Sequence, residues 1–370
     1  MRYPSPRIYL DSAAAARPNP LLAQWYAELL PVCGVNPHGG TCFAEQARRI
    51  ALEAARRLLR LLRIPEGEAE VIWTSGVTEA LNLASSLAQG AFLLDPTAHA
   101  ALREPILRTA RQVAYPGVDR TGRLLSPKGA ADGMAIGHVN NETGVRQELC
   151  PLREALGRNA IMILDCAQSF CKAEIPWEAA GVDAMALSSR KIGGPASVGA
   201  LVVRRSRLGQ MRAEIIGGGQ QGGLRSGTLD VCGVEMFARA AEHAFSRMAE
   251  HRRRMLELNG LYAELLKSFA AKWKAVPVGE PPEDAAIHML HIPGREGAVL
   301  SRILADEHGI LVASSSACSA EHGQGSLSMR AMGFSAQAAK EALRVSFDAE
   351  DNGDELREFF AALDAVLEGF

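Results

Sequence analysis

No run of about 18 consecutive apolar residues occurs in this chain, so it offers no candidate membrane-spanning helix. Its start, Met-Arg-Tyr-Pro-Ser-Pro-Arg, lacks the apolar core of a secretory signal. A soluble cytoplasmic protein is the expectation. Neither sign of charge dominates: 40 Lys and Arg stand against 42 Asp and Glu, a formal net charge of -2. That balance supplies no field for nucleic acid or acidic lipid as the main partner. The cysteines, at 33, 42, 150, 166, 171, 232 and 318, are scattered, with no C-x-x-C and no His/Cys cluster at zinc spacing. Neither a disulfide framework nor a structural zinc is expected, and six of the seven read as small core residues. Internal repeats and low-complexity linkers are absent too.

What is present is ample apolar material, 48% of 370 residues, enough for a large core and more than one ordinary domain. Residues 44–63 place Ala47, Ile50, Ala51, Ala54, Leu58, Leu61 and Leu62 on one stripe and six arginines largely off it. This predicts an amphipathic helix whose basic face is solvated. Short apolar strands then alternate with helices: 71–74 followed by a helix at 78–88, then strands at 134–139, 161–164, 184–187 and 198–203. Continuous apolar strands in such an alternation predict an α/β domain with a mostly parallel sheet covered on both faces. A long helical stretch from Val234 to Trp273, interrupted near Gly260, leads into strands at 286–292, 310–313 and 343–347 with helices at 297–307, 335–342 and 354–368. The expected division is an N-terminal segment 1–20 packing with the small domain, a large domain 21–245, and a small α+β domain 246–370.

Ligands gather at the carboxyl ends of strands in open α/β sheets, and four strand ends here carry polar residues. In Thr74-Ser75-Gly76-Val-Thr78-Glu79 a strand passes through Ser and Gly into a helix, a setting for a phosphate on backbone N–H groups. Ser-Gly-x-Thr is equally an ordinary helix cap. Ile161-Met-Ile-Leu-Asp165 ends in a carboxylate, and Ala184-Met-Ala-Leu-Ser188-Ser189-Arg190-Lys191 ends in hydroxyls and a lysine. Pyridoxal phosphate (PLP) needs a lysine for its Schiff base and a carboxylate to keep its ring nitrogen protonated; a plain ion pair between strand ends is the alternative. Asn140-Asn141-Glu142-Thr-Gly144 fits either a ring-oxygen ligand or a turn.

Taken in order, Tyr9-Leu-Asp-Ser-Ala-Ala, Asn36-Pro, Thr74-Ser-Gly-Val-Thr-Glu, His138-Val-Asn-Asn-Glu-Thr-Gly, Asp165-Cys-Ala-Gln-Ser, Lys191-Ile-Gly-Gly, Leu224-Arg-Ser-Gly-Thr, Ser314-Ser-Ser-Ala-Cys-Ser and Leu343-Arg-Val-Ser-Phe resemble the consecutive motifs of the cysteine desulfurases. These are fold-type-I PLP enzymes of the class V aminotransferase group, and the likeness runs from about residue 8 to 348. The resemblance implies that Lys191 carries PLP, Asp165 pairs with its ring nitrogen, and Gln168 and Asn141 approach its ring oxygen. His99 matches the histidine stacked on the ring, and Ser75, Gly76, Thr78, Ser188 and Arg190 fall in the phosphate site. Thr228 matches a phosphate ligand from the neighbouring subunit, which implies a homodimer with shared sites. Arg344 matches the clamp on the carboxylate of L-cysteine, and Cys318 matches the thiolate that takes the substrate sulfur as a persulfide. Its loop has the length associated with transfer to a sulfur-acceptor protein, such as an iron–sulfur scaffold or a thiolation protein.

Arg190 stands where the family usually has His; it forks onto phosphate but carries no proton. Ser189 replaces a usual Gly, Gly222-Gly223 a usual Glu-Arg, and Glu321-His322 a usual Leu-Glu. His322 is a candidate base or metal partner for Cys318, against a solvated loop histidine. His288 and His291, three apart on a predicted strand, face opposite ways and suggest no metal site. Two other readings stay open: a related C–S or C–Se lyase, and a non-catalytic desulfurase-like subunit.

Overall fold

The computed structural model describes residues 5–127, 129–314 and 325–369; Cys318, Glu321 and His322 lie outside the described residues. The first half of the chain runs β1 (Ile8–Tyr9), α1 (Leu22–Cys33), α2 (Cys42–Leu61), β2 (Ala69–Thr74), α3 (Val77–Ser85), β3 (Ala91–Leu94), α4 (Ala100–Thr109), β4 (Gln112–Ala114), β5 (Gly133–Gly137), α5 (Leu149–Leu156), β6 (Ile161–Asp165) and β7 (Ala184–Ser188). It continues with β8 (Gly199–Arg204), α6 (Val231–Ser246), α7 (Met248–Trp273), β9 (Val276–Val278), β10 (Ile287–His291), α8 (Gly297–His308), β11 (Ile310–Leu311), β12 (Ala313–Ser314), α9 (Leu327–Ala331), α10 (Ala336–Lys340), β13 (Ala342–Ser346) and α11 (Gly353–Glu368).

Seven strands form the large sheet in the order β2-β8-β7-β6-β5-β3-β4. The pairs from β7 to β4 are parallel; β8 runs antiparallel to both its neighbours. Its central strands are buried on both faces, which is why Ala184–Ser188 reads as a continuous rather than alternating run. Separate apolar clusters lie on the two faces: Trp73, Met162, Met185, Phe170 and Phe237 on one, Ile72, Leu81, Phe92, Ile163 and Leu201 on the other. A four-stranded antiparallel sheet, β12-β13-β10-β9, packs on α7, α8 and α11 around Tyr262, Phe347, Phe359 and Leu363. The N-terminal strand β1 pairs in parallel with β11, far along the chain.

Two local expectations change. The break in the long helical stretch falls at Arg247, between α6 and α7, and not at Gly260. Met255, Leu258, Tyr262, Leu266 and Phe269 form a buried stripe through Gly260, and that packing outweighs the roughly 1 kcal/mol helix penalty of one glycine. The cysteines also divide differently. Cys166 and Cys171 are buried and Cys42 is exposed, while Cys33 and Cys232 form a disulfide with Cα atoms 5.6 Å apart, within the range a disulfide spans. Their sequence separation of 199 hid the pairing from any spacing argument.

Candidate active site

The polar strand ends do meet. A cavity of about 530 Å³ opens at the carboxyl edge of the large sheet and is lined by Ser75, Gly76, Thr78, His99, Asn141, Asp165, Gln168, Ser188, Arg190, Lys191 and Arg344. Thr228 does not line it; that residue is exposed on the loop before α6.

Each group is placed by its local element. Lys191 sits in a short turn after β7 closed by Gly193 in the left-handed region (φ +77). Its Nζ donates to the carbonyls of Ala13 (2.5 Å) and Ala14 (2.9 Å), so the segment following β1 lies across the lysine. That strap is fixed from the other side as well: Ser12 N–H donates to Ser346 O, and Asn19 N–H donates to Gly193 O. Asp165 ends β6 and accepts from Ala167 N–H at 2.9 Å. Burial pushes its pKa up, opposed by that N–H and by the nearby His99 and Lys191. Among the described residues it makes no ion pair. Gly199 presses so close to Gly76 that a Cβ there would meet Gly76 Cα at 2.6 Å, which holds the start of α3 tight against β8.

His99 caps α4: its Nδ1 accepts from Ala101 N–H at 3.1 Å, an assignment that leaves the other ring nitrogen as a donor. Arg344, on β13, is 6% exposed. Its Nη1 donates to Asn141 O (3.0 Å) and its Nη2 to Asp11 Oδ1 (2.7 Å). Asp11 carries no role in the sequence reading, although it lies in the Tyr9-Leu-Asp motif. Also unassigned there was Glu142, whose Oε2 accepts from Ser326 Oγ (2.5 Å) and Ser328 N–H (3.1 Å). Only the long-range fold brings these partners together.

These residues fit PLP. Among the described residues Gln168 Oε1 is buried with no hydrogen-bond partner, while its Nε2 donates to Ala13 O at 2.8 Å, so the side chain keeps an amide atom in reserve at the cavity wall. Ser189 Oγ and Arg344 Nε are likewise buried without a partner. A raised carboxyl without an ion pair, an accessible lysine and a hydroxyl-bearing helix start suit a ligand with a basic ring nitrogen, an aldehyde and a phosphate. Among the described residues no cluster of His, Cys, Asp and Glu suits a metal, and no helix is long and apolar enough to cross a membrane. His288 and His291 contact Asn259 and Glu341 separately, as their spacing implied.

The profile of the family described as Aminotransferase class-V matches residues 8–359, and the chain belongs to that family. Within it, the chain is 31% identical to a cysteine desulfurase IscS of Tolumonas auensis across 94% of this chain and 90% of the relative. It is 32% identical to a cysteine desulfurase IscS of Haemophilus influenzae across 92% and 87%. The fold matches a NifS-like protein from Rickettsia africae with a TM-score of 0.85 at 22% identity, covering 98% of this chain and 99% of that one. A cysteine desulfurase from Thermococcus onnurineus, solved in its apo form, gives 0.84 at 20% identity over 98% and 95%. At these identities the structural likeness concerns the fold.

Proposed function

We infer that the chain is a cysteine desulfurase that removes sulfur from L-cysteine, giving L-alanine and a persulfide on Cys318. The observation that carries the reading is the convergence of Lys191, Asp165, Gln168, His99 and Arg344 on one cavity. PLP, when bound, supplies an electron sink that acidifies the substrate α-carbon. Lys191 holds it and moves the α-proton, Asp165 keeps its ring nitrogen protonated, and Gln168 and Asn141 address its ring oxygen. Ser75, Gly76, Thr78, Ser188 and Arg190 hold its phosphate, joined by Thr228 of a second copy. Arg344 orients the substrate carboxylate.

Both ends of the segment bearing Cys318 are anchored at the cavity. On one side Ala313 registers opposite Arg344; on the other Ser326 and Ser328 bind Glu142. The five residues from Ala313 to Cys318 can span at most about 17 Å, so Cys318 is tethered within range of a substrate held by Arg344. Its thiolate attacks the substrate sulfur, the carbon–sulfur bond breaks, and the sulfur stays on Cys318 for an acceptor protein, with iron–sulfur scaffolds the class we favour. Exposed Phe43 and Ile216 are apolar surface suited to a homodimer. This reading includes the division into residues 1–20, 21–245 and 246–370 and a cytoplasmic location.

The test is direct. Purified protein should absorb in the Schiff-base region and release alanine from L-cysteine, and mass spectrometry should find one added sulfur on Cys318. Lys191→Ala removes the absorption; Cys318→Ala removes turnover and the added sulfur. Alanine release that survives Cys318→Ala rejects that residue as nucleophile, and pyruvate in place of alanine rejects desulfuration in favour of a lyase.

A further inference from the structure

Helix α1 is a strut between two pieces of chain that flank the cavity. At its start, buried Asn19 donates its N–H to Gly193 O (2.8 Å), while its Oδ1 accepts from Leu21 N–H (2.9 Å) and its carbonyl from Leu22 N–H (3.0 Å). One residue thus ties α1 to the turn that carries Lys191. At its far end, about 18 Å away for a helix of this length, Cys33 is bonded to Cys232. Cys232 follows Thr228 closely in sequence, at the start of α6. Between the two ends α1 rests on α6 through a small cluster of Leu29, Cys232 and Met236, an edge contact of Trp25 with His243, and a Glu28–Arg239 ion pair of 2.6 Å. Leu22, Trp25 and Val32 add partly buried contacts to that cluster, and the covalent bond fixes the far end of α1.

We propose that Cys33–Cys232 is a thiol–disulfide exchange site for low-molecular-weight thiols and disulfides, and that its oxidation state sets how firmly α1 braces the Lys191 turn against the Thr228 loop. Access dictates the chemistry. Cys33 is exposed and Cys232 is 2% exposed, so an incoming thiolate attacks the Cys33 sulfur. The protein S–S bond breaks, Cys232 leaves as a thiolate and takes up a proton, and Cys33 is held in a mixed disulfide. A second thiol attacks that mixed disulfide and releases the small disulfide together with the Cys33 thiol. Two small thiols are oxidised and the protein disulfide is reduced to two thiols; a small disulfide reverses the sequence. Disulfides in a reducing compartment are typically transient and sensing, which suits a bond with one open sulfur. L-Cysteine, the substrate assigned above, belongs to the thiol class this site takes. The effect on the cofactor rests on the reading that Lys191 and Thr228 hold PLP.

The test uses the intact, cofactor-loaded protein equilibrated in buffers of glutathione and glutathione disulfide at different ratios, followed by thiol alkylation and peptide mapping, with hydrogen exchange and PLP loss on gel filtration measured in parallel. Reduction should lower exchange protection of residues 13–34 at least tenfold and speed PLP loss several-fold. Cys33→Ser should behave as reduced protein in every buffer, and Cys232→Ala should do the same; Cys42→Ser, at an exposed free cysteine, should follow the unmodified protein. Equal protection in both redox states, or a bond that exchanges only after denaturation, overturns the proposal. If protection responds to redox state but no PLP is bound in either state, the exchange site stands and the cofactor reading falls.

Discussion

Arg344 and Asp11 form a buried ion pair of 2.7 Å between the four-stranded sheet and the N-terminal strap, with side chains only 7% and 13% exposed. The guanidinium is thereby held in place before any substrate arrives. Arg344→Lys should raise KM for L-cysteine on the order of 10- to 100-fold with a smaller effect on kcat, because a bidentate carboxylate clamp becomes a point charge. Asp11→Asn should leave the arginine buried and poorly paired, lowering stability by about 3–5 kcal/mol. Steady-state kinetics and thermal melts separate the two effects.

Glu142 anchors the chain that returns from Cys318, through Ser326 and Ser328. Glu142→Gln weakens two charge-assisted bonds, each worth about 1.5–3 kcal/mol. The expected outcome is a several-fold slower appearance of the Cys318 persulfide with an unchanged absorption spectrum. Rapid-quench mass spectrometry measures the first and a visible spectrum the second.

Asp165→Asn removes the carboxylate but keeps a similar shape at the end of β6. The mutant should still bind PLP, while kcat drops by about 10²-fold, the scale typical of losing one preorganised electrostatic group. Restoration of kcat by a cofactor analogue with a permanently charged ring nitrogen would tie the loss to that proton.

His138 is 2% exposed, and burial, aided by the charge of Arg146, pushes its pKa down to about 4. The folded protein therefore resists a proton that the unfolded chain accepts below pH about 6.5. Stability from this group is complete above pH 6.5, is lost as pH falls, and levels off below pH about 4, at up to about 3 kcal/mol. His138→Gln should flatten that part of the pH–stability curve in urea melts between pH 7.5 and 4; an identical slope in the variant would assign the loss to other groups.

Gly144 has φ +74, and a Cβ there would lie 2.1 Å from Ile287 O. The turn after β5 meets β10 backbone to backbone, with no side chain free to yield. Gly144→Ala should cost roughly 2–4 kcal/mol, read from the denaturation midpoint.

The strand ends at Ser75, Asn141, Asp165 and Lys191 were legible from their apolar runs, whereas His99, Gln168 and Arg344 were named only through the family resemblance. The apolar runs before Asp165 and Lys191 announce strands, and the first polar residue after each run marks the edge where ligands gather. Short strands escaped: Ala91–Leu94 and Gln112–Ala114 are too brief to show a period. So did every partner fixed by topology alone. Asp11 is 333 residues from Arg344, Glu142 is 184 from Ser326, and Cys33 is 199 from Cys232; no local pattern encodes such distances. The Gly260 break was misplaced because an intrinsic propensity was set against a buried stripe and lost.

The strap over Lys191 also sets an order of assembly. Residues 8–13 owe their position to Ile310, Leu311 and Ser346. On a ribosome adding about 5–20 residues per second, those partners emerge on the order of tens of seconds after the strap itself. Throughout that interval the large sheet can form while its lysine turn has no cover. The lysine turn thus acquires its cover only when the last strand is made, so closure of the cavity is the final step in building it.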